Sequence, residues 1–410
     1  MKTSRRAAAI PASPAARHDT TLAVLRALTV GLAAALAVSL GSLATVAVAM
    51  ARRVVTPARR LADTQIVSVD LAAQTITLTK TPDTVLPGRY GLFTEGSEPY
   101  LKLGSVLTSD ETTVTRKLLT EVDTQTRLSA AAAFSGWYYS TPDELHLPYS
   151  TELIHSAVGA CPAWRFPAGD GATWAILVHG RGTTRAECLR AVPTFVAAGI
   201  STLVVSYRND GEAPRSRSGT YTLGATEWRD VDAAIGWARR RGAMRILLMG
   251  WSMGGAIVLQ TAVASAHREH ISAVALDSPV IDWRSVLDFQ GRLLRLPAAV
   301  TGLTIEILRA DWTRSATGAG NAIPFERLDM VARAAELRHP ILILHSDDDG
   351  FVPSDASHAL ARSRPDLVEL HVFTTARHTK LWNYDQDRFT DALEAWIGRH
   401  QLASTGETAS

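Results

Sequence analysis

The 410-residue sequence is 46% hydrophobic and 20% charged, which fits a globular protein with a sizeable core split over two or three domains. A formal net charge of +2, with basic residues clustered at the N-terminus but otherwise scattered among acids, leaves no electrostatic footprint for nucleic acid. Two cysteines, Cys161 and Cys188, are too few for a disulfide framework, and no Cys/His cluster suggests zinc; the two either pair outside the cell or remain separate thiols.

Residues 1–26 are rich in Ala, Arg, Ser and Pro, the composition of a disordered segment. Residues 27–51 carry no charge and are bounded by Arg26 and by Arg52-Arg53. As a helix, such a segment rises about 37 Å, enough to cross a hydrocarbon core of about 30 Å with some tilt. A cleaved signal peptide competes with a membrane anchor, because Ala47-Val48-Ala49 offers a small-residue cleavage site, but the apolar run is long for a signal. A buried core helix competes too, although no polar face interrupts the segment. Basic residues on both sides give nearly balanced charge, and the expectation is a single-pass membrane protein with an extracytoplasmic catalytic domain. Residues 52–62 read as a basic juxtamembrane linker.

From 63 to 125 the pattern becomes short alternating runs separated by Gly, Pro and Asp: 65–69, 75–79, 89–93 and 112–116. They predict a small β-rich module without a catalytic constellation. Residues 126–150 read as a connector, whose Phe134, Trp137, Tyr138 and Tyr139 are expected to be buried against the next domain.

Over 151–402, an opening hairpin (153–155 and 163–166) precedes six apolar runs at 173–179, 202–207, 245–250, 273–277, 341–345 and 369–373. Continuous apolar runs suit strands covered on both faces. Helical patterns at 184–198, 226–241, 254–267, 355–363 and 386–400 fill most gaps, so the fold class is α/β, a doubly wound, mostly parallel sheet. The gap at about 280–338 is too long for one helix and reads as a lid over the carboxyl edge of the sheet.

The chemistry-bearing motif is Gly250-Trp251-Ser252-Met253-Gly254, placed between a strand and a helix. A serine on so sharp a turn projects its hydroxyl above the sheet, and glycines at both ends remove Cβ atoms that would collide. Strand and helix around the motif give it weight that the bare pattern lacks. A serine nucleophile needs a base, and the base needs a carboxylate to orient it. On this architecture the acid follows a late strand and the base follows the last one. Asp347, Asp348 and Asp349 all follow the strand at 341–345; Asp349 is best placed for the loop to turn back toward the base, and the others suit a solvated turn. His378 follows the final strand and is the expected base. His345, His371 and His179 read as structural and His358 as exposed. Oxyanion stabilisation needs two amides: that of Met253, after the serine, and that of Arg181, in the glycine-bearing loop after the first parallel strand.

Residues 150–400 resemble the α/β-hydrolase superfamily, in particular its serine-aminopeptidase-like and alpha/beta hydrolase domain-containing branch. The matching pieces are His179-Gly180, Ser206-Tyr207-Arg208-Asn209, the elbow around Ser252, Asp277-Ser278-Pro279, His345 with Asp349 and Val352-Pro353, and His378. The N-terminal anchor and β module look like an arrangement seen in actinobacterial membrane-associated hydrolases. Ser346 stands where the family often has Gly. Arg208 and Asp210 lie near the site's edge and more often serve in ion pairs than in substrate binding.

The resemblance implies a serine hydrolase acting on a small-molecule or peptide ester or amide, with no metal or organic cofactor. An acyltransferase on the same triad and a non-catalytic binding module on the same scaffold are the alternatives.

Overall fold

A computed structural model of the chain describes residues 14–57, 60, 62–96 and 100–403. It begins with a single long helix, α1 (Pro14–Val55). Of the disordered segment expected over 1–26, residues 1–13 lie outside the described residues, whereas 14–26 are helical. Pro14 sits in the first turn, where a missing N–H costs nothing, and Ala15, Ala16, Leu22, Ala23 and Leu25 propagate helix readily. Within Ala23–Val55 an 18-residue stretch reaches a mean hydropathy of 2.1, and the helix is long and apolar enough to cross a membrane. The helix runs on through Arg52 and Arg53, so the first residues of the expected basic linker are its last turn.

The β module is a closed six-stranded barrel in the order β1-β2-β5-β4-β3-β6, formed by β1 (Thr64–Asp70), β2 (Thr75–Thr79), β3 (Tyr90–Gly96), β4 (Tyr100–Ser109), β5 (Thr113–Leu118) and β6 (Leu128–Ser135). In β2 the threonines stay half-exposed while Ile76 and Leu78 point inward, the two-residue period of a strand with one buried face. Two strands differ from expectation. β4 carries alternation broken by register shifts against β5. β6 lies where the connector 126–150 was expected; its Ala130–Ala133 run favours helix by propensity, but the strand fills the gap between β1 and β3 and closes the barrel. Phe134 enters the barrel core, and Tyr138 packs on Trp382 of the next domain.

The second sheet has eight strands in the order β14-β13-β12-β11-β9-β10-β8-β7. β7 (Ser150–Ser156) and β8 (Gly159–Phe166) are an antiparallel hairpin; β9 (Thr173–Val178), β10 (Ser201–Val205), β11 (Arg245–Trp251), β12 (Ile271–Asp277), β13 (Ile341–Ser346) and β14 (Val368–Phe373) are parallel. Every residue of β9 is buried. Trp174, Ile176 and Val178 enter one core while Ala175 and Leu177 enter the other, because successive side chains face opposite sides. Helices α2 (Val192–Ala197), α3 (Trp228–Arg239) and α4 (Met253–Ala264) follow β9, β10 and β11. Between β12 and β13 the expected long insertion holds α5 (Trp283–Leu293), α6 (Ala298–Arg309), α7 (Arg314–Thr317) and α8 (Phe325–Leu328). Helix α9 (Asp355–Ser363) follows β13, and α10 (Leu381–Tyr384) with α11 (Gln386–Arg399) closes the chain. Cys161 and Cys188 are buried and unpaired.

The last turns of α1 do not hang free. Ala47, Ala51 and Val55, four residues apart on one helix face, are fully buried in the larger core. Tyr221 N–H donates to the Val55 carbonyl at 2.8 Å, and Arg52 Nε donates to the Ala316 carbonyl at 2.6 Å.

Candidate active site

Ser252 sits between β11 and α4 with φ 52° and ψ −117°, a conformation that side chains with a Cβ rarely adopt. The turn is possible because its neighbours are glycines. A Cβ on Gly250 would lie 2.4 Å from the Gly254 carbonyl oxygen, and one on Gly254 would lie 2.2 Å from the Val178 carbonyl oxygen. Ser252 is only 7% exposed.

Two loops from later strands reach it. His378 Nε2 lies 3.0 Å from Ser252 Oγ, and His378 Nδ1 lies 2.7 Å from Asp349 Oδ2. Asp349 is buried, and its Oδ1 accepts the N–H groups of Phe351 and Val352 at 2.9 and 2.8 Å. Burial by itself would raise its pKa. The charge of His378 and hydrogen bonds from His345 and His378 outweigh it and hold the carboxyl well below the usual carboxylate range. Of the competing acids, Asp347 turns outward to Ser354 and His358, and Asp348 pairs with Arg377 at 3.1 Å. His345 is buried, bonded to Ser357 Oγ at 2.7 Å and close to Asp349. His371 pairs with Glu369, and His358 is partly exposed.

The loop after β9 passes directly by the serine: a Cβ on Gly180 would be 3.2 Å from Ser252 Cβ. Arg181 follows in that loop, and Met253 opens α4. Among the described residues, neither the Arg181 nor the Met253 N–H has a protein acceptor. His179 is fully buried beneath this loop, stacked on Tyr207 at 4.3 Å and bonded to Asp210 at 3.1 Å. Arg208 makes a two-pronged pair with Asp230 at 2.8 and 2.7 Å. Both Arg208 and Asp210 are thus committed to structural pairs.

Several groups around this centre have roles that the sequence did not assign, although Asp277-Ser278-Pro279 is among the pieces that carry the resemblance. Asp277, at the end of β12, accepts the Ser252 N–H on its carbonyl at 3.0 Å, and its buried Oδ2 has no partner. Burial pushes its carboxyl up to about 6, against the charge of Arg190, a bond from Ser278 and the charge of His378. Arg190, also buried, donates to the Thr379 carbonyl and to Asn383 Oδ1, both at 2.7 Å, and so braces the backbone beside His378. Its only signal in the sequence is a lone charge in the apolar run 188–196. Glu187 accepts the Gly180 N–H at 2.9 Å and fixes the other loop. Ser278 and Thr379 both have positive φ (48° and 51°) and are joined by a bond from Thr379 N–H to Ser278 Oγ at 3.1 Å. Backbone strain thus gathers around Ser252. Phe351, 45% exposed, places its ring 5.2 Å from that of His378 at the mouth.

A parallel sheet carrying a serine on a strained strand-to-helix turn, with a histidine and a buried aspartate from later loops, defines the α/β-hydrolase class. The alpha/beta hydrolase family model matches residues 175–392, and the chain belongs to that family. Residues 65–135 match a model for a domain of unknown function. Similar solved structures include an esterase of Pyrococcus furiosus, 17% identical, covering 63% of this chain and 94% of that one with a TM-score of 0.49. A puromycin-hydrolyzing peptidase of Mycobacterium tuberculosis is 18% identical and covers 80% of this chain and 46% of that one at a TM-score of 0.48. Est1E of Butyrivibrio proteoclasticus is 18% identical, covering 61% and 98% respectively at a TM-score of 0.45.

Proposed function

We propose that the protein is a serine hydrolase that cleaves an ester or amide bond through an acyl-enzyme. The supporting observation is the unbroken hydrogen-bonded series Ser252–His378–Asp349 at 3.0 and 2.7 Å. His378 Nε2 takes the Ser252 proton as Oγ attacks the carbonyl carbon, and the imidazolium is stabilised by the Asp349 carboxylate. The tetrahedral oxyanion is received by the N–H groups of Met253 and Arg181, each free of protein acceptors; one such donor typically contributes about 3–4 kcal/mol. His378 returns the proton to the leaving group, and water, activated by the same imidazole, releases the acid.

In this reading α5–α8 act as a lid over the carboxyl edge of the sheet, and the branch is the serine-aminopeptidase-like one, of the membrane-anchored actinobacterial type. The chain divides into an anchor in the exposed part of α1, a β module that ends with β6 at Ser135 rather than at 125, and a catalytic domain at 151–402. The exposed apolar length of α1 supports a single-pass anchor. Five basic residues before the span (Lys2, Arg5, Arg6, Arg17, Arg26) against four close after it (Arg52, Arg53, Arg59, Arg60) favour an extracytoplasmic catalytic domain. Protease accessibility in intact cells tests that orientation.

A fluorophosphonate probe tests the chemistry. Ser252→Ala is expected to abolish labelling and His378→Ala to reduce it strongly, with folding checked by thermal melting. Undiminished labelling of the Ser252→Ala protein would discard the mechanism.

A further inference from the structure

Helix α1 is two different objects along its length. From Ala23 to Val46 its large apolar side chains are bare apart from Leu43, which packs against the catalytic core: Leu28 is 64% exposed, Leu32 74% and Val38 70%. These 24 residues rise about 36 Å, matching a hydrocarbon core of about 30 Å with modest tilt. From Ala47 onward the same helix is embedded in the catalytic domain.

The embedding lies on the catalytic side. Thr304 Oγ1 of α6 donates to the Ala47 carbonyl at 3.3 Å, and Arg52 reaches the Ala316 carbonyl of α7. At the end of the helix the Arg181 guanidinium is held by three carbonyls: Val54 at 2.9 Å, Thr56 at 3.0 Å and that of Arg53. Arg53 and Val54 belong to the last turn of the helix and Thr56 follows it, where carbonyls lack helical partners and a cation is favoured. Arg181 belongs to the loop that passes Ser252. Residues 47–55 rise about 13.5 Å, so the loop beside the nucleophile stands about two headgroup depths from the hydrocarbon edge, that layer being roughly 5–8 Å deep.

The helices packed on α1, and α5 packed on α6, carry exposed apolar side chains suited to lipid. Leu303, beside Thr304, is 37% exposed; Trp312, between α6 and α7, is 85% exposed; Leu293 and Leu294, at the end of α5, are 55% and 54% exposed. Tryptophan favours the headgroup level of a bilayer. An apolar groove of about 540 Å³ runs along Ala44, Thr45, Val48 and Ala49 to Arg52, across the point where the helix passes from bare to buried.

We propose that the acyl donor is a bilayer-embedded lipid ester, which enters the site from the membrane plane beside α1. The inference rests on the serine-hydrolase reading above. Ser252 Oγ forms a bond to the fatty acyl carbon, and the bond from that carbon to the lipid alcohol oxygen breaks. The alcohol leaves with the proton carried by His378, and water then frees the fatty acid. The rigid docking of α1 holds the cleft at a fixed height above the lipid.

The test uses the full chain in phosphatidylcholine vesicles with two probes, 4-methylumbelliferyl oleate dissolved in the bilayer and water-soluble 4-methylumbelliferyl butyrate. The oleate is expected to be hydrolysed with at least a 10-fold higher kcat/KM. A flexible 20-residue Gly/Ser insertion between Val46 and Ala47 is expected to lower oleate turnover at least 10-fold and leave butyrate within 2-fold. Hydrolysis of butyrate without oleate, or an insertion that leaves the oleate rate unchanged, overturns the lipid assignment while the hydrolase reading stands. Loss of both activities on insertion would mean misassembly, and the double substitution Leu294→Ser with Trp312→Ser then decides. A drop of at least 5-fold on oleate alone supports the proposal, and no drop overturns it. If the native chain hydrolyses neither probe and Ser252 takes no fluorophosphonate, the hydrolase reading itself fails, and the lipid assignment with it.

Discussion

Asp277 is a carboxyl that the proposed chemistry does not consume, buried directly behind the serine. Its pKa rises from 3.8 in the free side chain to about 6, chiefly by burial. Between these values the folded chain binds more protons than the unfolded one, so stability falls as pH rises through that window. The contribution is fully present below pH 3.8 and gone above about 6. At 1.36 kcal/mol per unit it is on the order of 3 kcal/mol. Asp277→Asn removes the titration. The variant is therefore expected to gain on the native protein by that order between pH 4 and pH 7, read from denaturation at both values. A difference that stays constant with pH would show that Asp277 remains charged in the fold. Ser252, Asp349 and His378 were legible because the fold orders nucleophile, acid and base along the chain and gives each a strand-end address. Asp277 stood out only as part of the family-like Asp277-Ser278-Pro279 stretch, with no role attached, and Arg190 did not stand out at all. Their importance comes from neighbours distant in sequence: Arg190 bonds the carbonyl of Thr379, and Asp277 takes its environment from Arg190 and His378.

Elements that pack on two faces were easier to read than those that curve. The apolar runs of the inner strands announce their burial, though the edge strand β14 is only half-buried along its middle, whereas β6 of the barrel is an alanine run whose strand state is set by pairing with β1 and β3. The barrel also has an interior cation. Arg116 on β5 occupies an inward position of the alternation and is fully buried. It donates to the carbonyls of Thr84, Leu86, Gly88 and Gly104 at 2.7–3.0 Å. Burial lowers its pKa to about 10, which keeps it charged at neutral pH. Arg116→Met would strand four carbonyls, each costing about 1–3 kcal/mol when buried without a donor. The barrel is expected to lose most of its stability, seen as rapid hydrogen exchange in β2, β4 and β5. Native-like protection there would show that water replaces the guanidinium.

Across the whole molecule, both accessory parts touch the loops that carry the chemistry. The barrel meets the histidine loop: Asp83 lies 3.6 Å from Arg377 and 3.4 Å from Lys380, and Arg89 and Asn383 exchange backbone and side-chain bonds at 3.2 and 2.7 Å. Helix α1 meets the loop of Arg181. The end of α1 is thus part of the hydrolase core, which Ala51→Glu tests. An unpaired carboxylate at this fully buried position costs about 3–5 kcal/mol. The catalytic domain is expected to melt roughly 6–12 °C lower. A melting temperature within a degree of native would mean that α1 docks without contributing to the fold.

The sequence by itself determined the doubly wound sheet, the elbow, the later loops that bring Asp349 and His378 to Ser252, and a helix long enough to span a bilayer. Those features follow from local periodicity and from glycine and strand-end positions, which short stretches of chain encode. Barrel closure through β6, the Arg190 and Asp277 surroundings of the triad, and the seating of α1 against the Arg181 loop were decided only in three dimensions. Each depends on groups tens to hundreds of residues apart coming into contact. Whether an alanine run becomes strand, or an arginine becomes a clamp, is set by the partner that folding brings to it.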